Sequence, residues 1–120
     1  VLVIEDSKVI RRLIEVCLRP LDVEIQLAGN GPDGLESAAI ERPDLVLLDI
    51  GLPGMDGWEV LDILKAGDAS CPVLMLTGHG ELWSEQQAIE RGAAEYMTKP
   101  FMPDSLRDRI TRHLEPSGVA

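Results

Sequence analysis

Five side chains suited to handling a charged group stand directly after apolar runs. They are Glu5 and Asp6 after residues 1–4, Asp49 after 44–48, Thr77 after 72–76 and Lys99 after the short stretch 96–98. Three carboxylates drawn together repel and raise one another's pKa unless a cation lies among them. A hard divalent ion answers that need. Mg²⁺ accepts a few carboxylate or carbonyl oxygens and keeps several waters, and no soft ligand is placed to favour zinc or copper. A carboxylate-held metal beside an ammonium and a hydroxyl suits a phosphoryl group: the metal and Lys99 neutralise its equatorial oxygens and Thr77 donates a hydrogen bond. Asp49 then has two open roles, as a nucleophile that carries the phosphoryl group or as a metal ligand while water attacks. Taken singly, the acids read as a helix cap, Asp49 as a loop residue, Thr77 as a turn hydroxyl and Lys99 as a surface charge. Their joint placement argues otherwise, and it depends on the elements that carry them.

Short apolar runs alternate with amphipathic stretches along the whole chain. Residues 1–4, 23–28, 44–49, 72–77 and 96–98 read as strands, the first and third as runs buried on both faces of a sheet. Asp6 or Ser7 caps a first helix with Ile10, Leu13, Ile14, Cys17 and Leu18 on its inner face, and Pro20 stops it. Gly29 to Pro32 turn the chain into a second helix over 33–42. The loop 50–57, with three glycines and a proline, is irregular, and a third helix over 58–66 turns Val60, Leu61 and Leu64 inward. A fourth over 81–92 ends at Gly92, and a fifth over 103–114 buries Leu106, Ile110 and Leu114.

This alternation predicts an α/β fold: a doubly wound, flavodoxin-like sheet of five parallel strands in the order 2-1-3-4-5, with five helices on two faces. In such a sheet, ligands bind beyond the carboxyl ends of the strands where the order reverses. Strands one, three, four and five meet there, so Glu5, Asp6, Asp49, Thr77 and Lys99 are expected in one cleft.

The composition is that of one ordinary globular domain: 120 residues, 45% hydrophobic, 27% charged. The net charge of −10 argues against direct binding to nucleic acid or an anionic membrane, and 3% aromatic residues leave little for stacking on single strands. Cys17 and Cys71 are too few for a disulfide framework and have no metal-site spacing, so both are expected reduced, in a cytoplasmic protein. No apolar run approaches a membrane span. Residues 1–115 form the expected domain and 116–120 a tail or the start of a linker.

The stretches VLVIEDS (1–7), DLVLLDIGLPGMDG (44–57), PVLMLTG (72–78) and GAAEYMTKPF (92–101) are similar to those of bacterial response-regulator receiver domains, in the same order and spacing over nearly the whole chain. The resemblance implies that Asp49 is the phosphoacceptor, taking its phosphoryl group from the phosphohistidine of a histidine kinase or phosphotransfer protein. It implies that Glu5, Asp6, Asp49 and the backbone carbonyl of Gly51 hold Mg²⁺. Glu5 stands where the family commonly has Asp, so its longer arm reaches the metal directly or through water. Lys99 is implied to pair with the phosphoryl oxygens, before a cis bond to Pro100, and the amides of Gly51 and Gly78 to point at them. Thr77 and Tyr96 are the implied switch pair, reporting to the surface of helix four, strand five and helix five, where an output partner or an attached effector domain is regulated. Gly51 and His79 occupy the positions that tune phosphoryl lifetime, and an open glycine predicts moderate to fast loss. Trp58 and Trp83 are expected to pack or to lie at the surface, with Trp83 on helix four placed to contact a partner.

This reading makes the domain a switch whose only catalysis is its own phosphorylation and slow dephosphorylation. A haloacid-dehalogenase-like phosphatase uses similar residues but wants an aspartate at position 51, which is Gly, and a cap domain that 120 residues cannot hold. A docking platform that works without phosphorylation is the nearer alternative. Arg107 and Arg109, outward beside acids such as Glu95, are compatible with a homodimer or with a solvated surface.

Overall fold

A computed structural model describes residues 1–52, 54–55, 57–78 and 85–114. The strands are β1 Leu2–Ile4, β2 Gln26–Ala28, β3 Val46–Asp49, β4 Val73–Thr77 and β5 Glu95–Thr98. The helices are α1 Lys8–Leu18, α2 Gly31–Ile40, α3 Gly57–Gly67, α4 Glu85–Glu90 and α5 Pro103–Leu114, with a 3₁₀ turn at Arg19–Leu21. All strand pairs are parallel, in the expected order β2-β1-β3-β4-β5.

Every residue of β1, β3 and β4 is buried, because helices cover both faces and successive side chains point to opposite sides. Leu2, Ile4, Val46, Leu48, Val73 and Met75 pack with Leu35 of α2, Val60 and Leu61 of α3 and Ala88 of α4. Val3, Leu47, Leu74 and Leu76 pack with Ile14, Cys17 and Leu18 of α1 and Leu106 and Ile110 of α5. The two faces therefore carry α2–α4 and α1 with α5. No helix among the described residues is long and apolar enough to cross a membrane.

Local chemistry sets where the elements begin and end. Ser7, not Asp6, caps α1, its Oγ accepting from the Ile10 amide at 3.2 Å. Asn30 caps α2 by accepting from the Asp33 amide at 2.8 Å, so this helix starts two residues before position 33. Pro32 then lies in its first turn, where the missing N–H is no loss. The helix stops at Ile40, short of 42, because Glu41 is extended and Pro43 disfavours a helical Arg42. β2 is also shorter than expected, since its partner β1 contributes only three paired residues.

Three expectations need correction or a limit. Leu13 is exposed: α1 buries Ile14, Cys17 and Leu18 and leaves Val9, Leu13 and Val16 as a second apolar strip facing solvent. The arginines of α5 are used within the chain, Arg109 on Glu95 at 3.1 Å and Arg107 on the Cys17 carbonyl at 3.2 Å and on Asp104. That charge pattern is therefore paired within the chain. The first part of the helix expected over 81–92, with Trp83, lies outside the described residues. Beyond the Glu90 end of α4, Gly92 takes the left-handed φ of 105° expected past a helix end. Cys17 and Cys71 are free and buried, and burial pushes both thiols up.

Candidate functional site

The sheet delivers the expected residues to one end. Glu5 follows β1 and is locked to β2, its amide donating to the Ala28 carbonyl at 3.0 Å. Asp49 ends β3, and the next amide, of Ile50, donates to the Leu76 carbonyl of β4 at 3.0 Å. Thr77 ends β4 and Lys99 follows β5; the Lys99 amide donates to the Thr77 carbonyl at 2.7 Å. Register alone thus brings four chain segments together.

One carboxylate oxygen each from Glu5, Asp6 and Asp49 lies within 4.8 Å of the other two. Glu5 and Asp49 are buried, at 1% and 5% exposure, while Asp6 faces solvent. Lys99 Nζ reaches into the group, 2.8 Å from Glu5 Oε2 and 3.4 Å from Asp49 Oδ1. Burial pushes the Glu5 carboxyl up, and the nearby Asp49 charge adds to that, against the opposing hydrogen bond from Lys99. Burial alone would lower the Lys99 ammonium, but its hydrogen bond to Glu5 and the Asp49 charge outweigh it, so the net direction is up. Lys99 is therefore a fixed cation.

One ammonium among three carboxylates leaves the cluster short of positive charge. Its donors are hard oxygens with one open side at Asp6, which fits a small divalent cation and not a soft one. Both partners of the Asp49 carboxylate sit on Oδ1: the Gly51 amide, donating at 3.2 Å, and the Lys99 ammonium, ion-paired at 3.4 Å. Its Oδ2 is thus the oxygen with no such partner among the described residues. The Glu5 carboxylate is steadied on its other oxygen by the Ser7 amide at 3.3 Å.

The remaining predicted residues fall around this group. Thr77 is buried, its hydroxyl donating to the Gly78 carbonyl at 3.4 Å. Tyr96 lies one strand away, paired in register with Met75, and is half-buried against the core under α3 and α4. The Lys99–Pro100 peptide is cis, as the resemblance implied. Trp58, at the start of α3, is buried with the Arg91 guanidinium 4.8 Å above its ring. His79 lies outside the described residues.

Two contributors escaped the sequence reading. Arg11 on α1 donates to the Glu5 carbonyl at 2.6 Å. Gly57 opens α3 against the backbone of Asp49 and Ile50. The glycine had a weak sign in the loop composition; the arginine had none.

Comparison with known proteins agrees with this geometry. The family model of the response regulator receiver domain matches residues 1–111. Sporulation initiation phosphotransferase F of Bacillus subtilis is 38% identical over 114 residues, covering 95% of this chain and 92% of that protein. The alkaline phosphatase synthesis transcriptional regulatory protein PhoP of Bacillus subtilis is 36% identical over 120 residues, and this chain spans only 50% of it. For regulatory protein LuxO of Vibrio cholerae, 36% identical over 115 residues, the share is 25%. The crystal structure of the receiver domain of NtrX from Brucella abortus superposes with a TM-score of 0.89 at 36% identity, covering 97% of this chain and 98% of that one. With this sheet order, this acidic cluster and a family match over nearly its full length, the chain belongs to the response regulator receiver domains of two-component signalling.

Proposed function

We propose that this domain accepts a phosphoryl group on Asp49 from a phosphohistidine and relays the change to an output partner or attached effector domain. The convergence of Glu5, Asp6 and Asp49 around Lys99 carries the reading. In the transfer, Asp49 Oδ2 forms a bond to phosphorus as the P–N bond to the donor imidazole breaks, and the electron pair returns to that nitrogen. Lys99, already on Asp49 Oδ1, faces the incoming negative oxygens, and the Gly51 amide holds the carboxylate in place. Receiver domains bind Mg²⁺ at an acidic pocket; here Glu5, Asp6, Asp49 and the Gly51 carbonyl would hold it. When bound, the ion supplies positive charge for the phosphoryl oxygens. Thr77 then turns from the Gly78 carbonyl toward the new phosphoryl group, and Tyr96 follows, altering the surface of α4, β5 and α5. The chemistry ends there, in self-phosphorylation and self-dephosphorylation.

Metal removal tests the reading. With acetyl phosphate as donor, the wild-type chain in Mg²⁺ should become phosphorylated, and excess EDTA should slow this at least ~100-fold, because three carboxylates would otherwise face an incoming anion with one ammonium among them. Equal labelling with and without metal would overturn the Mg²⁺ assignment.

The apolar strip Val9, Leu13 and Val16 gives the donor a place to sit, since α1 starts directly after the acidic pair and turns these three exposed residues to one side. Leu13→Asp should keep the fold and its rate with acetyl phosphate. Transfer from a purified histidine kinase active on the wild type should slow about tenfold, the equivalent of ~1.4 kcal/mol of docking. An unaltered kinase rate would remove the strip from the donor interface.

A further inference from the structure

We infer that Arg11 is a positioning residue of the acidic site, holding the peptide that joins Glu5 to Asp6; the inference rests on the metal-binding role proposed for those acids. Arg11 lies in the second turn of α1, yet its guanidinium folds back to the N-terminal end of its own helix, where a cation is opposed by the helix dipole. Its Nη1 donates to the Glu5 carbonyl at 2.6 Å, a short, charge-assisted hydrogen bond that outweighs the opposition. The guanidinium also lies against the end of β2. A Cβ on Gly29 would come within 3.3 Å of Arg11 Nη1, so the absent side chain leaves the space that the arginine fills.

The consequence falls mainly on Asp6. The Glu5 main chain is now tied at both polar groups, the amide to Ala28 and the carbonyl to Arg11. The peptide between Glu5 and Asp6 is planar, so fixing its oxygen fixes the direction in which the chain leaves for Asp6. Asp6 is exposed, and none of the hydrogen bonds or ion pairs of the described residues holds its carboxylate. Its position relative to Glu5 and Asp49 is set through the backbone, and Arg11 anchors that backbone. Glu5 is different, because Lys99 and the Ser7 amide grip its side chain directly.

The sign of one measurement separates this role from its rival. A bystander cation near a metal site weakens metal binding by repulsion, so removing it tightens binding or leaves it unchanged. A positioning residue acts oppositely, and loss of such an outer partner weakens metal affinity about 10–100-fold. Mg²⁺ alone is titrated into the wild type, Arg11→Met and Arg11→Lys, followed by calorimetry. Thermal unfolding and the amide exchange of Asp6 and Ser7 are measured in EDTA. Arg11→Met should bind Mg²⁺ at least about tenfold more weakly and exchange the Asp6 amide faster, with the midpoint of unfolding within a few degrees of wild type. Arg11→Lys, which retains a donor, should recover part of the affinity. Equal or tighter Mg²⁺ binding by Arg11→Met overturns the inference while leaving the metal site intact. Absence of Mg²⁺ binding by the wild type overturns both.

Discussion

Asp49→Asn should leave a folded domain that takes up no phosphoryl group from acetyl phosphate or from a histidine kinase. The substitution preserves size and the oxygen that accepts from the Gly51 amide at 3.2 Å, so the loop after β3 keeps its anchor. What disappears is the charged oxygen that bonds to phosphorus, since an amide is a far poorer nucleophile than a carboxylate. A loss of at least ~1,000-fold in rate is expected, about 4 kcal/mol of barrier. Folding should not suffer comparably. One of three crowded negative charges is removed, and the Asp49 contribution that pushes Glu5 up goes with it. Lys99 loses its longer contact, 3.4 Å, and retains Glu5 at 2.8 Å. Intact-mass spectrometry after incubation with acetyl phosphate and Mg²⁺ reads the result directly. Labelling of the variant at the wild-type rate would mean that another residue is the acceptor, and the proposed role of Asp49 would be wrong.

The second large effect is expected away from the charges. Gly57 is buried at the start of α3, and its amide donates to the Ile50 carbonyl at 2.9 Å. A Cβ there would stand 2.5 Å from Ile50 Cα and 2.7 Å from the Asp49 carbonyl oxygen. Both obstacles are backbone, and both belong to the strand end that carries the proposed acceptor. Unlike a side-chain tip, neither can swing aside. Gly57→Ala should therefore push α3 and β3 apart at a cost of about 3 kcal/mol, the upper end for overpacking and a large share of the ~5–15 kcal/mol that stabilises a domain. In a domain of this size the unfolding midpoint should fall by roughly 10 °C. Phosphorylation of the still-folded fraction should slow about 100-fold, because an ångström of misplacement at a reacting group costs that much. Gly67→Ala is the matched control, at the other end of the same helix with nothing within 4 Å of its Cβ. Equal midpoints for the two variants would show that the contact at Gly57 relaxes without consequence.

The proposed site residues and Gly57 differ in how far they could be read beforehand. Glu5, Asp6, Asp49, Thr77 and Lys99 were legible because each stands at or just past the carboxyl end of a strand, and parallel strands of known order must present those ends together. The boundaries of α2 were less legible, since Asn30 as a cap competed with a turn reading of the same Gly-Asn-Gly-Pro stretch. Leu13 was misassigned for a related reason. Periodicity places it beside Ile14 on the inner face of α1, but how much of that face α5 and the sheet cover is a matter of packing.

The amino-acid sequence by itself determined the alternation of strands and helices, and with it which side chains stand at the mouth of the cleft, because apolar period and turn chemistry act over a few residues. Tertiary structure decided how the charges are paired and which glycines are irreplaceable. Lys99 and Glu5 are 94 positions apart, and Arg11 meets Glu5 only because a helical side chain folds back across a turn tied to β2. Gly57 differs from Gly67 only in what has been packed against it. Such contacts depend on distances between separately folded segments, and those distances exist only once the sheet has closed around its core.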